Sequence, residues 1–320
     1  MRSDNITQLQ STVFNKVQVF HSTDTNVSKF VFERDEQNEY SGTETPYKIK
    51  PIAVEAVLYR YGSYKTRTVI CCSTQCGCPV GCKFCGTGKF FQRNLSSIEI
   101  IEQVRVALST IDCDTSEIKK FQIMFMSMGE PFLNYKEVEL AIRGLHQRYP
   151  NAQLLISTSG PSSMYKHMSD FISLSKEIDK VGLQFSVHES TDEARHKNIT
   201  ENTGTIRQLA AAGEFWAANV GRKPFYNYCV YDGNNSIEDS IRLTKIFNPD
   251  VWETTLSVIC EKDESVKSSI DRQLDIIKKF SEEMVSRGAS IRVFNPAGQD
   301  DIGGGCGQLW FFQEWLNNNV

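Results

Sequence analysis

Three hundred and twenty residues, 40% hydrophobic and 23% charged, have ordinary globular proportions and exclude a disordered, collagenous or coiled-coil chain. No apolar run approaches the ~20 residues a membrane span needs, and MRSDNITQLQ lacks the charged-then-apolar layout of a secretory signal, so the expectation is a cytoplasmic chain without membrane attachment. Lys and Arg total 35 against 39 acidic residues, a net charge of −4 that excludes a global attraction for nucleic acid or anionic lipid and leaves any polyanion to a local patch.

In chain order, strand-like pieces at residues 16–21 and 27–34 precede the polar stretch DEQNEYSGTETPYK, so residues 1–51 read as a small β-rich extension. From residue 52 the pattern changes. Apolar β-type runs at 54–61 and 68–72 lead into alternating units: helix 97–108 and strand 121–126, helix 136–148 and strand 153–157, helix 164–175 and strand 181–188. Helix 205–218 and strand 224–231, then helix 237–247 and strand 253–260, continue the series, and an amphipathic stretch at 265–287 precedes a last strand at 290–294. This alternation predicts an α/β fold with a parallel sheet over residues 52–296, doubly wound or curled into a full or partial barrel, followed by a C-terminal segment at 297–320. In such folds the chemistry gathers at the C-terminal ends of the strands.

Six of the ten cysteines fall between Cys71 and Cys85, whereas Cys113, Cys229, Cys260 and Cys306 are scattered. A cytoplasmic chain of this size does not need disulfides for stability, so the clustering reads as metal binding or thiol chemistry. Within it, CPVGCKFC sets Cys78, Cys82 and Cys85 in a C-x3-C-x2-C spacing just after a strand. Three soft thiolates suit an iron-sulfur cluster and leave one iron of a four-iron cube open, while structural zinc would want a fourth ligand, from Cys76 or Cys72, and usually a second knuckle that the chain lacks.

With these residues in view the sequence resembles the radical S-adenosylmethionine superfamily, and more narrowly the RNA adenine-C2/C8 methyltransferases of the RlmN/Cfr type. The landmarks follow in order: CSTQCGCPVGCKFCGTG, RNLSSIEI, MSMGEPFLN, STSG, FSVHESTDEAR and DDIGGGCGQL. The resemblance implies a partial (βα)6 TIM-like barrel carrying a [4Fe-4S] cluster on Cys78, Cys82 and Cys85 and using S-adenosylmethionine. It implies that Gly129 and Glu130 of the GEP run receive the methionyl ammonium, and that Ser157, Ser186, Val187 and His188 line the cofactor pocket. Glu55 matches a family glutamate before the first cysteine, although extra residues around 62–65 separate it from Cys71, and a surface salt bridge is its bland alternative.

The two outlying cysteines answer a chemical problem, since the C2 or C8 carbon of adenine is too weak a nucleophile to take a methyl group by displacement. By the resemblance, Cys306 takes a methyl from one cofactor molecule as a thiolate, on a segment made pliant by Gly303, Gly304 and Gly305. A radical made from a second cofactor molecule activates that methyl, the carbon adds to adenine, and Cys71 assists proton removal and captures Cys306 as a disulfide. The resemblance further implies structured RNA, ribosomal or transfer, as partner, a donor such as flavodoxin or ferredoxin, and a monomer. A radical enzyme acting on a peptide or small metabolite is the rival reading.

Some features depart from the family. Only about fifty residues precede Glu55, mostly β-like, where relatives carry a longer helical RNA-binding domain, and LSVICEKD stands in place of an asparagine-containing run, with Cys260 near the expected asparagine. Candidate phosphate contacts are Lys83, Lys89 and Arg93, then Lys65 with Arg67, and Arg222 with Lys223; Phe84, Phe90 and Phe91 are candidates to stack a splayed-out base.

Overall fold

Strand pairing organises the chain from its first described residues onward. The computed structural model describes residues 6–34, 38–39, 47–48, 52–199, 202–258, 266–294 and 302–303. At the N-terminus lie β1 (Ile6–Leu9), β2 (Lys16–His21), β3 (Val27–Arg34), the short pair β4 (Asn38–Glu39) and β5 (Tyr47–Lys48), and β6 (Ile52–Arg60). Next come β7 (Arg67–Cys72), a small hairpin of β8 (Gln75–Gly77) with β9 (Phe91–Asn94), then α1 (Ser97–Leu108), β10 (Lys120–Phe125), α2 (Tyr135–Arg148) and β11 (Gln153–Thr158). The series closes with α3 (Ser162–Glu177), β12 (Val181–Ser186), α4 (Asp192–Asn198), α5 (Ile206–Val220), β13 (Phe225–Val230), α6 (Ile237–Ile246), β14 (Glu253–Val258), α7 (Val266–Ser286) and β15 (Ile291–Phe294).

Eleven strands form one sheet in the order β1-β2-β3-β6-β7-β10-β11-β12-β13-β14-β15. Pairing is antiparallel from β1 to β7 and parallel from β7 to β15. The six strands β7 and β10 to β14 are each followed by helix, which makes six βα units, and β1 and β15 end the sheet without meeting, so the barrel is partial as expected. The β-rich extension is not a separate layer: β3 pairs with β6 along its whole length, Val27 opposite Tyr59 to Arg34 opposite Ile52, and so continues the barrel sheet.

Strand β7 is buried on both faces from Thr68 to Cys72, which is why it reads as the continuous apolar run Val69, Ile70, Cys71 and Cys72. The helices covering them start on deliberate caps. Ser96 and Glu99, Thr205 and Gln208, and Ser236 and Asp239 form capping boxes, each of which stabilises its helix by about 1 kcal/mol. Among the described residues, no helix is long and apolar enough to cross a membrane.

Candidate active site

The parallel strands surround a cavity lined by residues from β6, β7, β13 and β15, from the cysteine loop, and from the ends of β11 and β12 with the turns after β10, β11 and β12. Local backbone chemistry shapes its rim. Cys71, near the end of β7, lies opposite Val57 of β6, and both side chains line the cavity. Past Cys72 the chain enters the β8–β9 hairpin, whose connection carries Cys78, Cys82 and Cys85. The Cys78 N–H donates to Phe90 O at 2.8 Å and the Lys83 N–H to Asn198 O at 2.9 Å, which docks the loop against the end of α4. Gly77 has φ +80° and an added Cβ would come within 2.2 Å of Phe90 O, so a side chain there would break the hairpin.

All three loop cysteines line the cavity, and among the described residues no three His, Cys, Asp or Glu side chains converge on a single ion position. A four-iron cluster asks for a different arrangement, with each thiolate on its own iron. Burial pushes the Cys78 thiol up to about 12, with Glu130 and Cys85 adding to the rise, and raises Cys82 as well, with help from Cys85 and Cys78. Such thiols bind metal only by surrendering their protons to it.

Glu130 caps a 3-10 turn, Pro131–Leu133, after β10. Its carboxylate is buried at the cavity edge and already accepts four hydrogen bonds: Oε1 from Thr158 Oγ1 at 2.7 Å and Phe132 N at 3.1 Å, Oε2 from Ser159 N and Oγ at 2.7 Å each. Burial raises its pKa against those hydrogen bonds. Its own N–H donates to Gln75 Oε1 at 2.8 Å, while Gln75 Nε2 reaches Asn94, so one amide ties the Glu130 turn to the cysteine hairpin. Gly129 takes φ +100° and faces Gln75, where a Cβ would sit 2.6 Å from Gln75 Cβ. The GEP turn therefore needs glycine on both counts.

Ser157 at the end of β11 accepts from Gln184 at 3.1 Å and lies 3.4 Å from the Ser186 hydroxyl. Val187 is buried and does not line the cavity; its N–H donates to Asn227 O at 3.0 Å. His188 sits at φ +61°, its Nδ1 accepts from Cys229 N at 3.2 Å, and its ring meets Phe84 edge-on at 5.2 Å. Burial, assisted by Arg195, lowers its pKa to about 3, so it is a neutral lining group.

Glu55 is not a surface residue. It is fully buried on β6 and pairs with the buried Lys29 of β3, Nζ to Oε2 at 3.6 Å. Two residues from Val57 on the same strand, it shares the sheet face that carries Cys71. Cys306 and Cys260, and with them residues 304–320 and 259–265, lie outside the described residues.

The basic residues expected to meet phosphate divide by position. Lys83 and Lys89 are exposed on the cysteine loop, but Arg93 is held by Glu99 at 2.7 Å. Lys65 pairs with Glu117, Arg67 covers the Tyr61 ring, and Arg222 donates to Asp179 O and Val181 O at the N-terminal ends of the strands, away from the cavity. Of the aromatics, Phe84 lines the cavity, Phe90 packs on the core and Phe91 is exposed. Several site residues had no signature of their own. Gln75, Thr158 and Ser159 lie inside the CSTQCG and STSG runs without being singled out there, and Asn227, within β13, is an ordinary polar residue that neither the landmarks nor the strand-end rule points to.

A partial barrel with three cysteines at the strand-end cavity defines a class, and the sequence model of the Radical SAM superfamily matches residues 72–242. The chain is 32% identical over 265 residues to the probable dual-specificity RNA methyltransferase RlmN of Bifidobacterium adolescentis, covering 80% of this chain and 67% of that protein. The protein of the same name from Bifidobacterium longum is 33% identical with the same coverage. Among solved structures, a radical SAM methyltransferase from Sphaerobacter thermophilus superposes with a TM-score of 0.70 at 25% identity, over 95% of this chain and 81% of that one. Streptococcus suis SuiB bound to S-adenosylmethionine shares the fold alone, with a TM-score of 0.51 and 11% identity over 72% of this chain and 51% of its own. The chain belongs to the radical SAM superfamily, in its RlmN family. Its cofactors are those of the superfamily, a [4Fe-4S] cluster and S-adenosylmethionine.

Proposed function

We propose that the protein methylates an adenine carbon in structured ribosomal or transfer RNA, at C2 in preference to C8, through a methylated cysteine. The observation that carries the reading is Cys71. Cluster binding is accounted for by Cys78, Cys82 and Cys85, yet a fourth thiol, from β7, lines the same cavity as those three and Glu130. Holding a cluster gives no reason for it.

In this reading Cys78, Cys82 and Cys85 hold the cluster, and Glu130, backed by Gly129, receives the methionyl ammonium beside Ser157, Ser186 and His188. Bound together, cluster and S-adenosylmethionine supply a one-electron cleavage that yields a hydrogen-abstracting radical. The protein's own residues do the rest. Cys306 gives up its thiol proton and takes the methyl on Sγ, leaving S-adenosylhomocysteine. Cys71, as a thiolate, removes the proton from the adenine adduct, passes it on, and then attacks Sγ of Cys306; the S–S bond forms as the C–S bond breaks, and the displaced carbon takes up a proton and leaves as the methyl group of the base. Glu55, paired with Lys29 on the same sheet face as Cys71, is the proton acceptor that serves Cys71. Exposed Lys83 and Lys89 meet phosphate, and Phe84 offers a ring to the extruded base. The protein works as a cytoplasmic monomer with flavodoxin or ferredoxin as donor.

The deciding experiment is nucleoside mass spectrometry of ribosomal and transfer RNA from cells expressing the chain or its Cys306→Ala variant. The expected result is 2-methyladenosine that depends on Cys306. Finding 8-methyladenosine would overturn the C2 preference, and finding neither would overturn the RNA reading.

A further inference from the structure

Helix α4 carries a charge that the mechanism above leaves unused. Arg195 is completely buried, and its guanidinium donates to Ser159 O at 2.6 Å, Thr203 Oγ1 at 2.7 Å, and Ser186 O and Gly204 O at 3.3 Å. Every acceptor is neutral. Its Nε has no partner, and no carboxylate among the described residues forms an ion pair with it. A buried cation without an anion costs several kcal/mol, so a chain that keeps one has an anion to set against it.

The surroundings say where that anion lies. Ser159 and Ser186, whose carbonyls hold the guanidinium, both line the cysteine cavity. One turn along α4 from Arg195, Asn198 accepts the N–H of Lys83, the residue after Cys82, and the neighbouring Ile199 lines the cavity as well. Arg195 thus stands directly behind the wall against which the cysteine loop docks. Burial lowers its pKa to about 10, and Cys82, ahead of Asp192, Tyr165 and Glu130, is the foremost group pulling it back up.

We infer that Arg195 is a positioning residue for the cluster's charge: a fixed buried cation behind the cavity wall that raises the reduction potential of the iron-sulfur cluster held by Cys78, Cys82 and Cys85. The inference rests on the cluster reading. Three thiolates make the assembly anionic, and reduction adds one more electron, taken from a one-electron reductant such as dithionite or the physiological donor. A nearby positive charge stabilises the reduced form more than the oxidised one. Neutralising it therefore moves the potential down.

The test is an anaerobic redox titration of the reconstituted protein followed by electron paramagnetic resonance, with no RNA present. Arg195→Gln is expected to lower the reduction equilibrium constant at least tenfold, about 59 mV for one electron, while Arg195→Lys, which keeps the charge, stays near the parent value. Because a hole behind the wall could cost Arg195→Gln its fold, Thr203→Glu supplies a second route. Thr203 is only partly buried and lies 2.7 Å from Nη1, so a glutamate there neutralises the guanidinium in place. Thr203→Glu should lower the potential and Thr203→Gln should not. A potential unchanged in Thr203→Glu, or lowered equally by Arg195→Lys and Arg195→Gln, overturns the inference. A parent protein that takes up no iron overturns the cluster reading instead.

Discussion

Glu130 and Ser159 are joined twice through a single oxygen: Oε2 of the carboxylate accepts both the backbone N–H and the hydroxyl of Ser159, each at 2.7 Å. The contact spans neighbouring strands β10 and β11 and fixes the carboxylate before any ligand arrives. Such preorganisation reduces the cost of binding.

Glu130→Gln should therefore weaken S-adenosylmethionine binding by about 1.5–3 kcal/mol, the worth of a hydrogen bond to a charged group. Its amide NH2 would also face the Ser159 donors, so a fall in melting temperature is expected alongside. Titration calorimetry on the reconstituted protein reads the affinity, and an unchanged value would place the ammonium elsewhere.

The two accessory cysteines should behave differently in kind. Removing Cys71, which acts late, strands the covalent intermediate, so Cys71→Ala should copurify with bound RNA. Removing Cys306, which acts first, prevents any bond, so Cys306→Ala should carry none. Denaturing gels before and after ribonuclease treatment distinguish them, and identical behaviour in protein able to cleave S-adenosylmethionine would count against the methyl-cysteine route. A structural disulfide would give no such asymmetry.

Lys29 and Glu55 supply a stability test. Breaking a buried pair from one side leaves an uncompensated charge, so Lys29→Met alone should cost about 3–5 kcal/mol, whereas Lys29→Met with Glu55→Leu should recover much of that loss. Denaturant unfolding of the four proteins completes the cycle. Additive effects would mean that the pair is not coupled.

His188 gives the pH dependence a sign. The unfolded chain takes up its proton near 6.5 and the native state, held down by burial, only near 3. Its contribution falls as pH drops from about 6.5 towards 3, because the unfolded state binds the extra proton there. His188→Gln should flatten the loss of melting temperature across that window, and nitrogen NMR of the parent should show a neutral ring at pH 5. A ring that titrates near 6 would refute the assignment.

How much of this was legible follows from which signals are local. The βα series could be read because apolar periodicity sits within each element, and α1 spans the residues 97–108 that its apolar positions predict. The cysteine loop could be read because its spacing is written in eight consecutive residues. Arg195 could not. In STDEARHKN it stands among charged neighbours, as a solvated helix would, and its burial comes from carbonyls 36 and 9 residues away in sequence. Lys29 lies in an apolar strand, and its partner becomes visible only once β3 and β6 pair. The hairpin of β8 and β9 escaped because strands of three and four residues are too short to show a period.

The dock between Lys83 and Asn198 sets a timetable. A cysteine loop written before residue 90 leans on a helix that ends at residue 198, with β10, β11 and β12 synthesised in between. Contacts so distant in sequence form late, after the loop between them has closed. On the ribosome the three thiols emerge well before the helix end that Lys83 docks against, so a nascent chain halted after β11 presents the cysteine loop without that dock.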